Sequence, residues 1–228
     1  MLDCREALFN TRFLGTPDLG TAQAYIAASP LGSRIEFVQA DPPTYLQSTF
    51  ESFNFIVFGH SIWFFSHPTI LPRILEAARS RVTTAVLIGE YGLTSSIPSG
   101  IPHVLTALTY NTLETFRDDT SLRNIRCGLT PQQITRVVED AGWVLGKEEF
   151  ITPGRKQVDG WREVKMLLHT RWFKDDLEAV ATKVDEKTKS LLYGLVDAVT
   201  TSVARLEGGL EDVRNMDVWI ARFNIKAE

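Results

Sequence analysis

The stretch 53–65, Phe-Asn-Phe-Ile-Val-Phe-Gly-His-Ser-Ile-Trp-Phe-Phe, constrains this chain more than any other. It is apolar and aromatic without period-two alternation, and Gly59, His60 and Ser61 interrupt it. A short apolar run of this kind predicts a strand buried on both faces of a parallel sheet. His60 and Ser61 then fall at the strand's carboxyl end, where open α/β sheets take their ligands. Pro68 marks a first helical turn, and Ile70, Leu71, Ile74, Leu75 and Ala78 give the following helix one apolar face. Residues 81–90 form a second apolar run that ends on Glu90. Strand, helix and strand make a βαβ unit, so the expected fold class is α/β with a mostly parallel sheet.

The rest of the chain fits around that unit. Residues 21–29 read as a short helix stopped by Pro30 and Gly32, and residues 34–38 alternate as a strand would. Pro42 and Pro43 open a helix to about Phe50, and a further helix is expected over 102–116. Thr130-Pro-Gln-Gln is a helix start, with a Thr cap, Pro at the first position and Gln at the third; that helix should stop at Gly142. Residues 143–151 read as a strand, 161–184 and 187–206 as two helices, and 216–223 as a last, antiparallel strand. There is no repeat, low-complexity tract or linker. One domain over 1–228 is expected, with an N-terminal segment at 1–19 and a helical pair within 161–207.

Composition narrows the classes of function. A net charge of -4 argues against a general nucleic-acid binder, which shows a basic patch or stripe. No apolar run approaches the roughly 18 residues of a membrane span. The N-terminus lacks the apolar core of a signal peptide. Cys4 and Cys127 are the two cysteines and offer neither a disulfide framework nor zinc spacing. A reducing, cytoplasmic location is expected.

Several pieces of the chain, in order, carry a family resemblance. They are Leu19-Gly-Thr-Ala-Gln-Ala-Tyr, Ala28-Ser-Pro-Leu-Gly-Ser-Arg-Ile-Glu-Phe, Gly59-His-Ser-Ile-Trp-Phe-Phe, Glu90-Tyr-Gly-Leu, Ile101-Pro-His-Val-Leu, Asn124-Ile-Arg, Ala141-Gly-Trp and Met216-Asp-Val-Trp. Together they resemble the fungal small-molecule methyltransferases of the S-adenosylmethionine-dependent, class I Rossmann-like superfamily. The resemblance implies a sheet with helices on both faces and a helical insertion near the C-terminus. In that superfamily a first strand enters a Gly-rich turn, and a carboxylate ending the second strand takes the ribose hydroxyls. No such turn is present; Gly15, Gly20 and Gly32 lie outside any strand–Gly-x-Gly–helix context. The chain is expected to begin near the end of the family's second strand. No cofactor is expected to bind in the usual mode, S-adenosylmethionine being the alternative.

The candidate residues each carry two readings. His60 is a general acid/base or hydrogen-bond donor, or else a strand-end residue capping the next helix. Glu90 is a buried carboxylate with a raised pKa acting as base, or a salt-bridged loop residue. His103 and Tyr110, seven apart on one helical face, contact substrate in a helix that the resemblance lays over the pocket, or are half-buried polar tips. Trp63, Phe64 and Tyr91 line an apolar pocket or belong to the core, and Trp63 and Tyr91 also need partners for their polar tips. Asn111 and Arg126 complete the candidate substrate-binding set, and Arg123 and Arg126 would suit a carboxylate. His60, Trp63, Glu90, Tyr91, His103 and Tyr110 are expected to face one cavity. Scattered histidines without ligand spacing give no metal site.

Three functions compete. The first is a cyclase or isomerase acting on an apolar natural-product intermediate without a methyl donor. The second is a methyltransferase whose cofactor site is incomplete or completed by a partner. The third is a non-catalytic subunit of an intact methyltransferase. The resemblance also implies that the strand at 55–58 lacks its usual neighbour. A homodimer is therefore expected, with residues 6–14 or the late helices covering the exposed edge.

Overall fold

The computed structural model describes residues 19–117, 121 and 123–226. The N-terminal segment expected to cover the sheet, residues 6–14, lies outside the described residues. In chain order the elements are α1 (Leu19–Ala27), α2 (Pro42–Ser48), β1 (Phe53–Gly59), α3 (Ile70–Ala78), β2 (Val82–Tyr91) and α4 (Ile101–Glu114). Then come α5 (Pro131–Asp140), β3 (Trp143–Ile151), α6 (Asp159–His169), α7 (Arg171–Ala181), α8 (Glu186–Ala204) and β4 (Val218–Ile225).

Local chemistry sets several of these boundaries. The Asp41 carboxylate accepts from the Thr44 amide and caps α2, with Pro42 and Pro43 in the first turn. Thr130 and Gln133 form the expected reciprocal capping box on α5. That helix stops before Gly142, whose φ of +86° suits a residue without a Cβ. The late helical region is three helices rather than two. Thr170 is extended between α6 and α7, with φ -93° and ψ 139°, and its hydroxyl turns back to the Met166 carbonyl.

The four strands are ordered β1-β2-β4-β3. β1 and β2 are parallel, while β4 runs antiparallel to both β2 and β3. Three strands share a direction, but β4 inserts between two of them and the sheet is mixed. β1 occupies an edge, so the expectation of burial on both faces fails: Phe58 is buried while Phe55 and Val57 are exposed. The strand expected at 34–38 does not form. Its alternation specifies a face, but a strand also needs a neighbour to take its backbone groups, and β1 pairs with β2 alone among the described residues.

Alternation across the sheet sorts the side chains into two faces. One face places Phe58, Val86, Ile88, Trp219, Ala221, Phe223 and Trp143 against α3, α5 and Leu46 of α2. The other face carries Phe55, Val57, Leu87, Val144 and Ile220, and its helical cover is much thinner. A second apolar cluster joins α4, α6, α7 and α8 through Leu113, Val164, Leu167, Phe173, Leu177, Leu192 and Val199. A third, of Trp63, Val104, Ala107, Ile125 and Met216, packs Tyr91 and Tyr110 beside it and links the helices to the carboxyl ends of β1 and β2. Among the described residues no helix is long and apolar enough to cross a membrane.

Candidate functional site: a histidine and a carboxylate at neighbouring strand ends

His60 is the first residue beyond β1. Its φ of +48° is left-handed, a region that costs a non-glycine residue energy and is enriched at functional positions. Its amide donates to the Gly89 carbonyl at 2.7 Å, holding it to the end of β2. The chain then tightens into a 3-10 turn at Ile62–Phe64. The turn aims two amides at Glu90: those of Ile62 and Trp63 donate to Oε2 at 3.0 and 3.4 Å. The Tyr91 amide donates to Oε1 at 3.0 Å.

Glu90 is buried, and backbone amides replace much of the solvation its carboxylate gives up. His60 Nδ1 stands 3.3 Å from Glu90 Oε1. The imidazole side chain is 46% exposed, so its outer nitrogen, Nε2, is left for another group. The hydrogen bond to Glu90 raises the His60 pKa above 6.5. Burial works against that rise, and the charges of Glu90 and Asp159 add to it. A carboxylate-held imidazole with one open nitrogen can give or take a proton near neutrality.

Aromatic rings surround the pair. The Tyr91 ring lies 4.5 Å from His60, 5.7 Å from Trp63 and 5.0 Å from His103, centre to centre. Burial first, then the charges of Asp159, Glu163 and Glu90, keep the Tyr91 phenol far above its ordinary value, so it stays protonated. The polar tips of the two expected pocket aromatics find partners within the chain. Trp63 Nε1 donates to the Leu129 carbonyl at 3.0 Å, and Asn215 Nδ2 donates to the Tyr91 hydroxyl at 3.3 Å. Gly59 pairs with Gly89 across the strand ends, and a Cβ on Gly59 would meet nothing within 4 Å. A Cβ on Gly89 would touch Ile220 Cγ2 at 3.8 Å.

The other candidates separate from this pair. His103 is fully buried; Nδ1 accepts from the Met216 amide at 3.0 Å and Nε2 faces Glu163 at 3.1 Å. Both ring nitrogens are thus engaged within the chain. Tyr110 packs on Trp172 and Phe173 among the helices, and burial pushes its phenol pKa up. Asn111 Oδ1 accepts from the Gly128 amide at 3.0 Å, fixing a loop. The backbone amides of Arg126 and Cys127 both donate to the Trp63 carbonyl. Phe64 is half-buried in the turn. A cavity of about 340 Å³ lies elsewhere, lined by Phe116, Arg117, Asp176, Val180 and Lys183.

Glu163, Asn215 and Asp159 escape sequence reasoning. Asn215 Oδ1 accepts from the Gly160 amide at 2.7 Å and its Nδ2 reaches Tyr91, joining α6 to the end of β2. Their partners lie 53 or more residues away, and no local spacing encodes such pairs. The polar run Asn215-Met216-Asp217 before the last strand is the one available signal.

Neither a protein-family profile nor a curated protein sequence matches the chain. Solved structures do. A cyclopropane-fatty-acyl-phospholipid synthase-like protein from Lactobacillus casei ATCC 334 superposes with a TM-score of 0.69 at 17% identity, over 93% of this chain and 71% of that one. An S-adenosylmethionine-dependent methyltransferase from Archaeoglobus fulgidus gives a TM-score of 0.41 at 12% identity, over 84% and 68%. The [4+2]-cyclase SpnF gives 0.41 at 12% identity, over 92% and 63%. The first match shows the fold: an α/β, methyltransferase-like Rossmann architecture with a four-stranded mixed sheet and, among the described residues, eight α-helices.

The described residues do not form the site that a methyl donor takes in the usual mode. No described strand runs into a Gly-x-Gly turn and helix. Glu90, next to last in β2, is turned onto three backbone amides and His60, and Asp41 is committed to capping α2. Neither presents a free carboxylate to ribose hydroxyls.

Proposed function

We propose that this chain is an enzyme of small-molecule biosynthesis. It converts an apolar intermediate by cyclisation, isomerisation or a pericyclic step, without using a methyl donor. The observation that carries this reading is the His60–Glu90 pair, with Nδ1 held at 3.3 Å and the other side of the ring open. His60 protonates, deprotonates or hydrogen-bonds a substrate oxygen or carbon acid, and Glu90 fixes the ring's orientation and favours its charged form. In this reading the open space at Gly59 takes part of an apolar substrate, and the Tyr91 ring, 4.5 Å from His60, supplies an aromatic wall. The chemistry is proton transfer and orientation, which demand no bound cofactor.

A second reading, methyl transfer with a cofactor site completed by a partner, is favoured by the fold shared with the synthase-like protein. Fold alone does not carry function. Extracts rich in apolar metabolites, incubated with the chain and with its His60→Gln variant and no added methyl donor, separate the two. The expected product has the mass of its precursor and disappears with His60→Gln. A product heavier by one methylene unit, formed only on adding S-adenosylmethionine, would establish the second reading instead.

A further inference from the structure

The hydrogen bonds at the first turn of α6 fix where the Tyr91 proton points. Asn215 is buried, and its Oδ1 accepts from the Gly160 amide at 2.7 Å. A backbone N–H only donates, so the other end of the side-chain amide, Nδ2, faces the Tyr91 hydroxyl at 3.3 Å. Nδ2 has protons and no lone pair to offer. The phenolic oxygen therefore accepts there, and its own proton is directed elsewhere. Asn215 takes up a lone pair of the tip and leaves the proton. The arrangement is closely packed: a Cβ on Gly160 would lie 2.7 Å from the Arg214 carbonyl oxygen and 2.9 Å from the His103 ring. Only glycine lets α6 approach the 214–216 segment at this point. The residue before Gly160, Asp159, is exposed, and its carboxylate is an acceptor for the Tyr91 hydroxyl. The same carboxylate acts on His60. The Tyr91 and His60 ring centres are 4.5 Å apart, so the hydroxyl proton and the imidazole belong to one side of the site.

We propose that Tyr91 is the hydrogen-bond donor of the His60 site, aimed by Asn215 as a positioning residue, and that the apolar substrate presents a carbonyl oxygen to it. This rests on the reading that the site beside His60 takes a substrate. Asp159 is exposed, so water takes over its carboxylate when a substrate oxygen comes to the hydroxyl. The charges acting on that hydroxyl are those of Asp159, Glu163 and Glu90, all negative. They keep the phenol neutral, a donor that does not ionise. They also disfavour a substrate carboxylate or phosphate at the same point, and a cation has no lone pair to receive the proton. A neutral carbonyl meets both conditions. The hydrogen bond holds its oxygen and polarises the C=O bond, and proton transfer is left to His60.

The probe is 1-indanone labelled with carbon-13 at its carbonyl, titrated into the parent chain and followed by NMR. The expected result is saturable binding that shifts the His60 ring resonances. The bound carbonyl should resonate downfield of its position in Tyr91→Phe, which keeps the ring against His60 and removes only the donor. Affinity should fall about fivefold in that variant, the scale of one hydrogen bond. Asn215→Asp tests the aim. It keeps an acceptor for the Gly160 amide and puts a second acceptor where Nδ2 stood, so the Tyr91 proton turns away from the site. The bound carbonyl should then move upfield as in Tyr91→Phe, with an unchanged circular dichroism spectrum. A merely structural Asn215 would leave that resonance in place. Equal carbonyl resonances in the parent and Tyr91→Phe, with His60 still perturbed, would overturn the proposal and leave the His60 site standing. Absence of saturable binding, or binding that leaves His60 unperturbed, would overturn it together with the substrate site on which it rests.

Discussion

His60 Nδ1 and Glu90 Oε1 stand 3.3 Å apart across the carboxyl ends of two neighbouring parallel strands. The contact depends on the left-handed turn at His60, because the same turn delivers the Ile62 and Trp63 amides to the other carboxylate oxygen. The His60 imidazole is thus positioned by the turn that ends its own strand and by the side chain of the neighbouring strand.

The pair makes stability depend on pH. The folded His60 pKa lies above 6.5, with the Glu90 hydrogen bond as the main cause. A raised folded value means the pair contributes fully below the unfolded value and loses that contribution as pH climbs through the folded one. Melting temperature should therefore fall on the alkaline side of 6.5. This part of the decline should vanish in His60→Gln. The effect is small, because the ring is half exposed and solvent screens it. Thermal melts at closely spaced pH values check it.

Glu90→Gln should cost stability as well as orientation. A buried carboxylate serving three amides becomes an amide group whose NH₂ finds donors facing it, a loss of roughly 1–3 kcal/mol. Urea denaturation of the variant measures it. A change in midpoint with an unchanged m-value is the expected pattern.

His103→Leu is expected to destabilise without entering the chemistry. It leaves the buried Met216 amide and the Glu163 carboxylate without their partner, at about 1–3 kcal/mol for the orphaned donor. Product formation per folded molecule should be retained. Comparing urea midpoints with turnover, normalised to folded protein, separates a structural histidine from a catalytic one.

Gly59→Ala is expected to behave in the opposite way. The added methyl meets nothing within 4 Å, so stability should stay within about 0.5 kcal/mol of the parent. If substrate lies in the open space at Gly59, the methyl occupies it. KM should then rise with little change in melting temperature. Steady-state kinetics on the product identified with the parent chain provide the check.

The sequence makes the βαβ unit and its two polar stops readable, because each apolar run breaks at the carboxyl end of its strand, at Gly59 in the first and at the buried Glu90 in the second. The capping box at Thr130 is equally local and equally readable. Residues 34–38 mislead for a definite reason: alternation specifies which way side chains point, and says nothing of whether a neighbouring strand exists. His103 and Tyr110 share a helical face as their spacing requires; that face meets Glu163 of α6, and His103 also meets the Tyr91 ring that lies beside His60. The orientation is set by Glu163 and by the amide of Met216, 60 and 113 residues away, which no local pattern encodes. Trp63 and Tyr91 do lie beside the site, with their polar tips spent on Leu129 and Asn215.

The His60 imidazole titration, followed by NMR in the parent chain and in Glu90→Gln, addresses the pair most directly. The parent should titrate above 6.5. In Glu90→Gln the charged partner is gone and burial is opposed only by the weaker charge of Asp159, so the value should drop to 6.5 or below. An equal His60 pKa in the two folded proteins would contradict the proposal that Glu90 holds and tunes this histidine.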